Sequence, residues 1–262
     1  MAKFVAKQPG YYVTLQGLGI LSNPSGVRFD DIESDSFTAQ STTVRLEIGG
    51  HGFEKSFSGR PKAVGTVTDI KHYASGTLTY KLTDAKYPLQ DLAESNDSAE
   101  HTEKIFAKDD IFKGSFGNDV LEGFKGNDTF DGKAGTDVLY GDSGKDILNG
   151  GEGSDTLDGG KGKDTYVFKS DLITGYDTIV KFQSGERFEL KAKFFAGLEV
   201  GELTPEQFVI GTVAQDADDR IIYNSSNGLL SHDPDGAGGV APVYFAKVQV
   251  GVDLSAENFL II

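Results

Sequence analysis

Six aspartates recur every nine residues through the middle of this 262-residue chain, at Asp119, Asp128, Asp137, Asp146, Asp155 and Asp164. Each follows a glycine two residues earlier (Gly117, Gly126, Gly135, Gly144, Gly153, Gly162) and another five residues earlier (Gly114, Gly123, Gly132, Gly141, Gly150, Gly159). An aspartate supplies a hard carboxylate oxygen, and a glycine-rich turn leaves its backbone carbonyls clear of side chains. Together they are a donor set for a hard divalent cation. Two fixed glycines, at a background of about 7%, coincide by chance about once in two hundred trials. Six such pairs in tandem are a repeat.

The same spacing dictates the elements that hold these groups. From Gly114 to Val167 the chain divides into six nonapeptides: GSFGNDVLE, GFKGNDTFD, GKAGTDVLY, GDSGKDILN, GGEGSDTLD and GGKGKDTYV. Their eighth position is always apolar or aromatic: Leu121, Phe130, Leu139, Leu148, Leu157 and Tyr166. Asp110-Ile111-Phe112 opens the phase without its glycines, and Gly175-Tyr176-Asp177-Thr178-Ile179 restores half a repeat after a short insertion. Over residues 105–180 this pattern resembles the RTX (hemolysin-type) calcium-binding family. The resemblance implies a parallel β-roll in which each nonapeptide is one turn plus one short strand, and two of them make an 18-residue coil. In such a strand the eighth-position side chain points inward and its neighbours outward. The glycines admit turn conformations that a Cβ disfavours.

A roll of this kind places like charges together. Coils stack about 4.8 Å apart, so Asp119 faces Asp137, Asp128 faces Asp146, Asp137 faces Asp155 and Asp146 faces Asp164. Two carboxylates at that separation repel by roughly 3–4 kcal/mol at an effective dielectric near 20. A cation must lie between them. Calcium fits best, because it takes several carboxylate and carbonyl oxygens in a flexible geometry, whereas magnesium keeps its waters and demands an octahedron. By the resemblance, one site joins Asp119 and the carbonyls of Ser115 and Gly117 to Asp137 and the carbonyls of Gly132 and Ala134. The pattern steps along the stack through the carbonyls of Gly126, Gly135 and Gly144 from one coil and Gly141, Gly150 and Gly159 from the next. Asp110/Asp128 and Asp155/Asp177 are the outer pairs, where the turns depart from the motif.

The expected fold is all-β: a central roll over 105–180, an N-terminal β-sandwich-like domain over 1–104 and a C-terminal β cap over 181–262. Residues 1–104 carry 11 basic and 13 acidic side chains. Val44, Leu46 and Ile48 alternate with Arg45 and Glu47 as a half-buried strand does, and the segments around 64–70 and 77–82 flank Ala74-Ser75-Gly76 as a hairpin. The acidic stretch 91–100 reads as a linker. Asp177 to Leu190 resembles the segment that closes RTX rolls, with Lys181 and Arg187 standing where acids are common. Ile221–Asn224 and Leu229–His232 read as a hairpin around Asn227-Gly228. The terminal segment from Asp253 is similar to the C-terminal ends of RTX proteins exported by type I secretion.

Much chemistry is excluded. A balance of 25 basic against 40 acidic residues, net −15, repels nucleic-acid phosphates and anionic lipid surfaces. With no cysteine there is no disulfide, thiolate metal site or thiol nucleophile. None of His51, His72, His101 and His232 lies in H-E-x-x-H, and no G-x-S-x-G elbow occurs. Asp233-Pro234-Asp235-Gly236 reads as a turn, and Asp30, Asp31, Glu33 and Asp35 as a solvated acidic loop. There is no apolar N-terminal signal core and no run long enough to cross a bilayer. The expectation is a non-enzymatic, secreted calcium-binding protein, exported by type I machinery, whose N-terminal domain engages a glycan or a cell-surface ligand. The competing expectations are a regulatory or complete form of an extracellular polysaccharide-modifying enzyme, or a membrane-active RTX protein.

Overall fold

The computed structural model describes residues 107–114, 116–171 and 175–262, and, within the first 106 residues, the backbone of seven strands. Those strands are β1 (Lys3–Ala6), β2 (Arg28–Asp30), β3 (Ser36–Gln40), β4 (Val44–His51), β5 (Thr66–Ala74), β6 (Thr77–Thr83) and β7 (Tyr87–Pro88). They form one antiparallel sheet in the order β1-β6-β5-β4-β3-β2, with β7 beside β5. The alternating segment is β4, and the hairpin turns between Ala74 and Thr77.

The repeat folds as its period requires. Its strands are β8 (Ile111–Lys113), β9 (Val120–Glu122), β10 (Thr129–Ala134), β11 (Val138–Tyr140), β12 (Ser143–Gly144), β13 (Ile147–Glu152), β14 (Thr156–Asp158), β15 (Lys161–Gly162), β16 (Thr165–Phe168), β17 (Asp177–Ile179) and β18 (Arg187–Leu190). Alternate strands pair in parallel on two faces. One face runs β8-β10-β13-β16-β18, and the other β9-β11-β14-β17. Register is eighteen residues per coil: Phe130 lies against Phe112 and Leu148, and Leu139 against Leu121 and Leu157. The short pair β12 and β15 extends this ladder into the turns.

One apolar side chain per repeat fills the space between the faces. Phe112, Phe130, Leu148 and Tyr166 line one wall, Leu121, Leu139, Leu157 and Ile179 the other, and all are buried. Stacking in register sets rings face to face, as with Phe112 and Phe130 at 4.7 Å between centroids. Such pairs add to the area term that dominates so thin a core.

The C-terminal strands are β19 (Gly201–Glu202), β20 (Phe208–Ile210), β21 (Ile221–Asn224), β22 (Leu229–His232), β23 (Val243–Lys247) and β24 (Phe259–Ile261). They prolong both faces rather than pack across them. β24 lies parallel on β18, with Phe259 over Phe188, and β23 lies parallel on β17. Antiparallel β19 then finishes one sheet; on the other, antiparallel β22 and β21, joined by the expected hairpin, are followed by β20, which lies parallel on β21 and ends the sheet. At the opposite end β1 adds in parallel to β8, so the N-terminal strands continue one face of the roll.

Candidate metal centre

The turns between strands carry two columns of carboxylates. Asp110, Asp128, Asp146 and Asp164 precede the strands of one face, and Asp119, Asp137 and Asp155 those of the other, whose β17 opens on Asp177 itself. All eight are buried. Within a column each aspartate is tied to its neighbour by one repeated bond. The amide N–H of Asp119 donates to Asp137 Oδ1 at 2.8 Å, that of Asp137 to Asp155 Oδ1 at 2.7 Å, and that of Asp155 to Asp177 Oδ1 at 3.1 Å. The other column repeats this from Asp110 to Asp128, Asp128 to Asp146 and Asp146 to Asp164, at 2.7 to 2.9 Å. The pairing expected from an 18-residue coil is therefore the pairing present.

In the six complete repeats the second oxygen of the carboxylate faces the glycine that opens its own repeat. A Cβ placed on Gly123, Gly132 or Gly141 would come within 2.5 Å of Oδ2 of Asp128, Asp137 or Asp146, and one on Gly141 would also meet the Gly159 carbonyl at 2.7 Å. First-position glycine is thus required by space, not by backbone dihedral. The fourth-position residues Gly126, Gly135, Gly153 and Gly162 add the other requirement, since each has φ between 127° and 151°. In this cradle Oδ2 of Asp128, Asp137, Asp146 and Asp155 is buried and accepts no hydrogen bond. An unsatisfied buried carboxylate oxygen is costly, and its surroundings here are further oxygens. The residues present fit a hard cation.

Electrostatics point the same way. Burial pushes Asp128 up to about 8, and neighbouring Asp146, Asp110 and Asp109 push it further, against the pull of the Asp110 amide. Burial likewise raises Asp137 and Asp146 to about 7 and Asp155 to about 6, each opposed by its amide partner. Asp177, buried beside Asp155, rises to about 8. Among the described residues no three His, Cys, Asp or Glu side chains converge on one point.

Several positions extend or amend the sequence reading. The acid that continues the first column is Glu186, not residue 187. Arg187 pairs with Thr165 and its N–H bonds the Asp164 carbonyl, which puts Glu186 level with Asp164. Glu186 is buried, and burial with nearby Asp164 raises it to about 7. Second positions also matter. Phe124, Lys133 and Asp142 hold φ of 66°, 78° and 66°, where the last two repeats use Gly151 and Gly160. From there Lys133 Nζ donates to the Gly114 carbonyl, and Asp142 Oδ2 accepts from the Phe124 N–H at 3.3 Å. Asp233 and Asp235 accept from the loop's own N–H groups, as a turn does. Buried His232 bonds the Ala196 carbonyl, and burial lowers its pKa. Ser115, the linker 91–100 and the side chains of Asp30, Asp31, Glu33 and Asp35 lie outside the described residues.

Comparison with known proteins agrees over the repeat. Residues 106–139 and 131–166 match the RTX calcium-binding nonapeptide repeat, in four copies. No curated protein matches the chain. Among solved structures, the AlgE6R2 subunit of the Azotobacter vinelandii mannuronan C5-epimerase is similar at 25% identity and a TM-score of 0.38, over 57% of this chain and 91% of that one. The AlgE6R3 subunit of the same enzyme is similar at 23% identity and a TM-score of 0.31, over 58% of this chain and 78% of its own. The extracellular lipase LipA of Serratia marcescens is similar at 16% identity and a TM-score of 0.38, over 92% of this chain but 31% of the lipase.

Proposed function

From the membership of residues 106–166 in the RTX calcium-binding nonapeptide repeat family, we propose that the roll is a calcium-gated folding module of a secreted protein. The observation that carries this reading is the row of buried, unpartnered carboxylate oxygens on Asp128, Asp137, Asp146 and Asp155. Bound calcium supplies the positive charge and the many-oxygen coordination that such a row calls for. Asp119, Asp137 and Asp155 on one side, with Asp128, Asp146 and Asp164 on the other, hold it through carboxylate oxygens. The carbonyls of Gly117, Gly126, Gly135, Gly144, Gly132, Gly141, Gly150 and Gly159 complete the set. Four slots have a full repeat on both sides: 119/137, 137/155, 128/146 and 146/164.

Metal binding and folding are then one equilibrium, because the slots exist only in the stacked chain. A switch of this kind suits export. The chain leaves the cell unfolded through type I machinery that reads its C-terminal segment, then folds where calcium is millimolar. In this reading residues 1–104 are the working part and bind a glycan or cell-surface ligand without catalysing a reaction. Among the described residues no helix is long and apolar enough to cross a membrane.

Calcium titrated into chelated protein tests the module, with far-UV circular dichroism for folding and calorimetry for stoichiometry. The expected result is a coil-to-β transition with about four ions bound. An unchanged spectrum with no heat of binding refutes it.

A further inference from the structure

We propose that the turn edge of the first column is a binding rail for an acidic polysaccharide, with Lys145, Lys161 and Lys163 as its principal contacts. The inference rests on the calcium reading of the roll, because the lysines dominate that edge only when the slots behind them are filled.

The two columns of turns share one backbone and differ in what they display. At the fifth position of the first column stand Asp109, Asn127, Lys145 and Lys163, and at the third Lys125, Ser143 and Lys161. Fifth positions are stacked by a repeated bond: the Asn127 N–H donates to Asp109 Oδ1 at 2.7 Å, and the Lys145 N–H to Asn127 Oδ1 at 2.9 Å. Third positions are stacked by parallel pairing of Lys125 with Ser143 and of Ser143 with Lys161. Lys125, Lys145, Lys161 and Lys163 are all exposed, as is Lys181 in the next turn. The second column shows Asn118, Thr136 and Ser154 at the fifth position and Phe116, Ala134 and Glu152 at the third. The same bond, Thr136 N–H to Asn118 Oδ1, sets its register. The fold therefore does not require the lysines.

Among the described residues, none of the ammonium groups of Lys145, Lys161, Lys163 and Lys181 has an acid within ion-pair distance. The acids near this edge are engaged with backbone: Asp109 with the Asn127 N–H, Asp142 with the Phe124 N–H and Asp158 with the Gly160 N–H. Lys163 is also held in place. A Cβ on Gly185 would come to 3.1 Å from its Cε and 3.3 Å from its Cδ, so Gly185 leaves the stem a seat on the last turn. Coils rise about 4.8 Å, so Lys145 and Lys163 hold like charges one coil apart and attract an anion lying along the edge. The row is one turn wide and runs with the stack. An extended chain carrying one carboxylate per sugar can follow such a line. A flat anionic membrane would also meet the acids of a chain whose net charge is −15. Without calcium, buried Asp128, Asp146 and Asp164 lie behind the lysines and oppose their field; ions in slots 128/146 and 146/164 remove that opposition.

The test is calorimetric titration of the calcium-loaded full chain with a hexameric oligouronate, for the natural sequence and for the double variant Lys145→Gln/Lys163→Gln. A control, Lys191→Gln/Lys247→Gln, removes two exposed charges elsewhere. The proposal expects saturable binding by the natural chain, about tenfold weaker in the rail variant and within about twofold in the control. The log–log dependence on salt should also flatten by about 1 to 2 in the rail variant, and a neutral glucose hexamer should not bind. Equal affinity in the rail variant and the natural chain overturns it. So does capture of phosphatidylserine vesicles through these lysines in place of the oligouronate. Should the rail variant fail to fold, amide NMR shifts of the natural chain on adding the hexamer decide. Shifts grouped at 141–146 and 159–164 support the rail, and shifts confined to residues 1–104 or to the second column overturn it. A chain that takes up no calcium fails the functional reading and this inference together. One that folds with calcium yet ignores the oligouronate fails this inference alone.

Discussion

Acid should do for the ion-free roll what calcium does at neutral pH. In the folded chain Asp128 gives up its proton near pH 8, Asp137 and Asp146 near 7 and Asp155 near 6. In the unfolded chain all four ionise near pH 4. The folded state therefore binds more protons across this window, so stability is greatest below about pH 4 and falls as pH rises, until it is lost above about pH 8. From these four carboxyls alone, about three protons separate the two states near pH 6, a slope of about 4 kcal/mol per pH unit. Integrated from pH 5 to pH 8 the change is about 10 kcal/mol, as large as the whole stability of an ordinary domain. The assay is urea unfolding followed by far-UV circular dichroism in metal-free buffer, at steps from pH 8 to pH 5. A cooperative β transition should emerge and move to higher urea as pH falls. Saturating calcium should reverse the trend, because protons then compete for the same oxygens. An ion-free protein equally folded at pH 5 and pH 8, or one that unfolds on mild acidification, would refute the account of the carboxylate columns.

Three substitutions probe other parts of the same structure. Gly132→Ala drives a methyl against Asp137 Oδ2 and the Gly150 carbonyl, so calorimetry should show weaker calcium binding and fewer ions, with at least about 2 kcal/mol lost from the calcium-loaded fold. Asp142→Gly removes a left-handed side chain and a carboxylate that raises the pKa of Glu122; it should gain about 1 kcal/mol in thermal unfolding with calcium present. Phe188→Ala deletes a buried ring in contact with Tyr166, Phe168, Phe182 and Phe259. It should cost about 3–5 kcal/mol with calcium saturating, and a loss under 1 kcal/mol would mean the cap does not share the roll's core.

The roll was legible because its period is short and its constraints are local. A first-position glycine, an aspartate five residues on and an apolar residue two beyond that fix turn, column and wall, and the eighteen-residue register follows. Glu186 escaped because residues 169–176 break the nine-residue count and the next turn carries no glycine before Gly185; only pairing with Asp164 restores the phase. The stacking of β24 on β18 left no trace either. Phe188 and Phe259 meet across 71 residues of non-repeating chain, and a three-residue apolar strand fits any edge. Likewise nothing in Lys3–Ala6 marks it as the neighbour of β8, since parallel partners share no turn from which register can be read. The second-position departures were visible as residues, but their left-handed backbone and their reach into the preceding turn appear only in three dimensions.

A stack of parallel coils is also a template. Each end presents strand backbone ready to accept another chain, the geometry by which such folds could grow into fibres. Here one face is covered by β1 at its first coil and by β24 and then β19 at its last, while the other continues past β17 into β23 and antiparallel strands. Among the described residues the roll's own strand left at an edge is β9, three residues long and finishing on Glu122, while the far edge of that face is β20. So short and charged an edge is a poor seed.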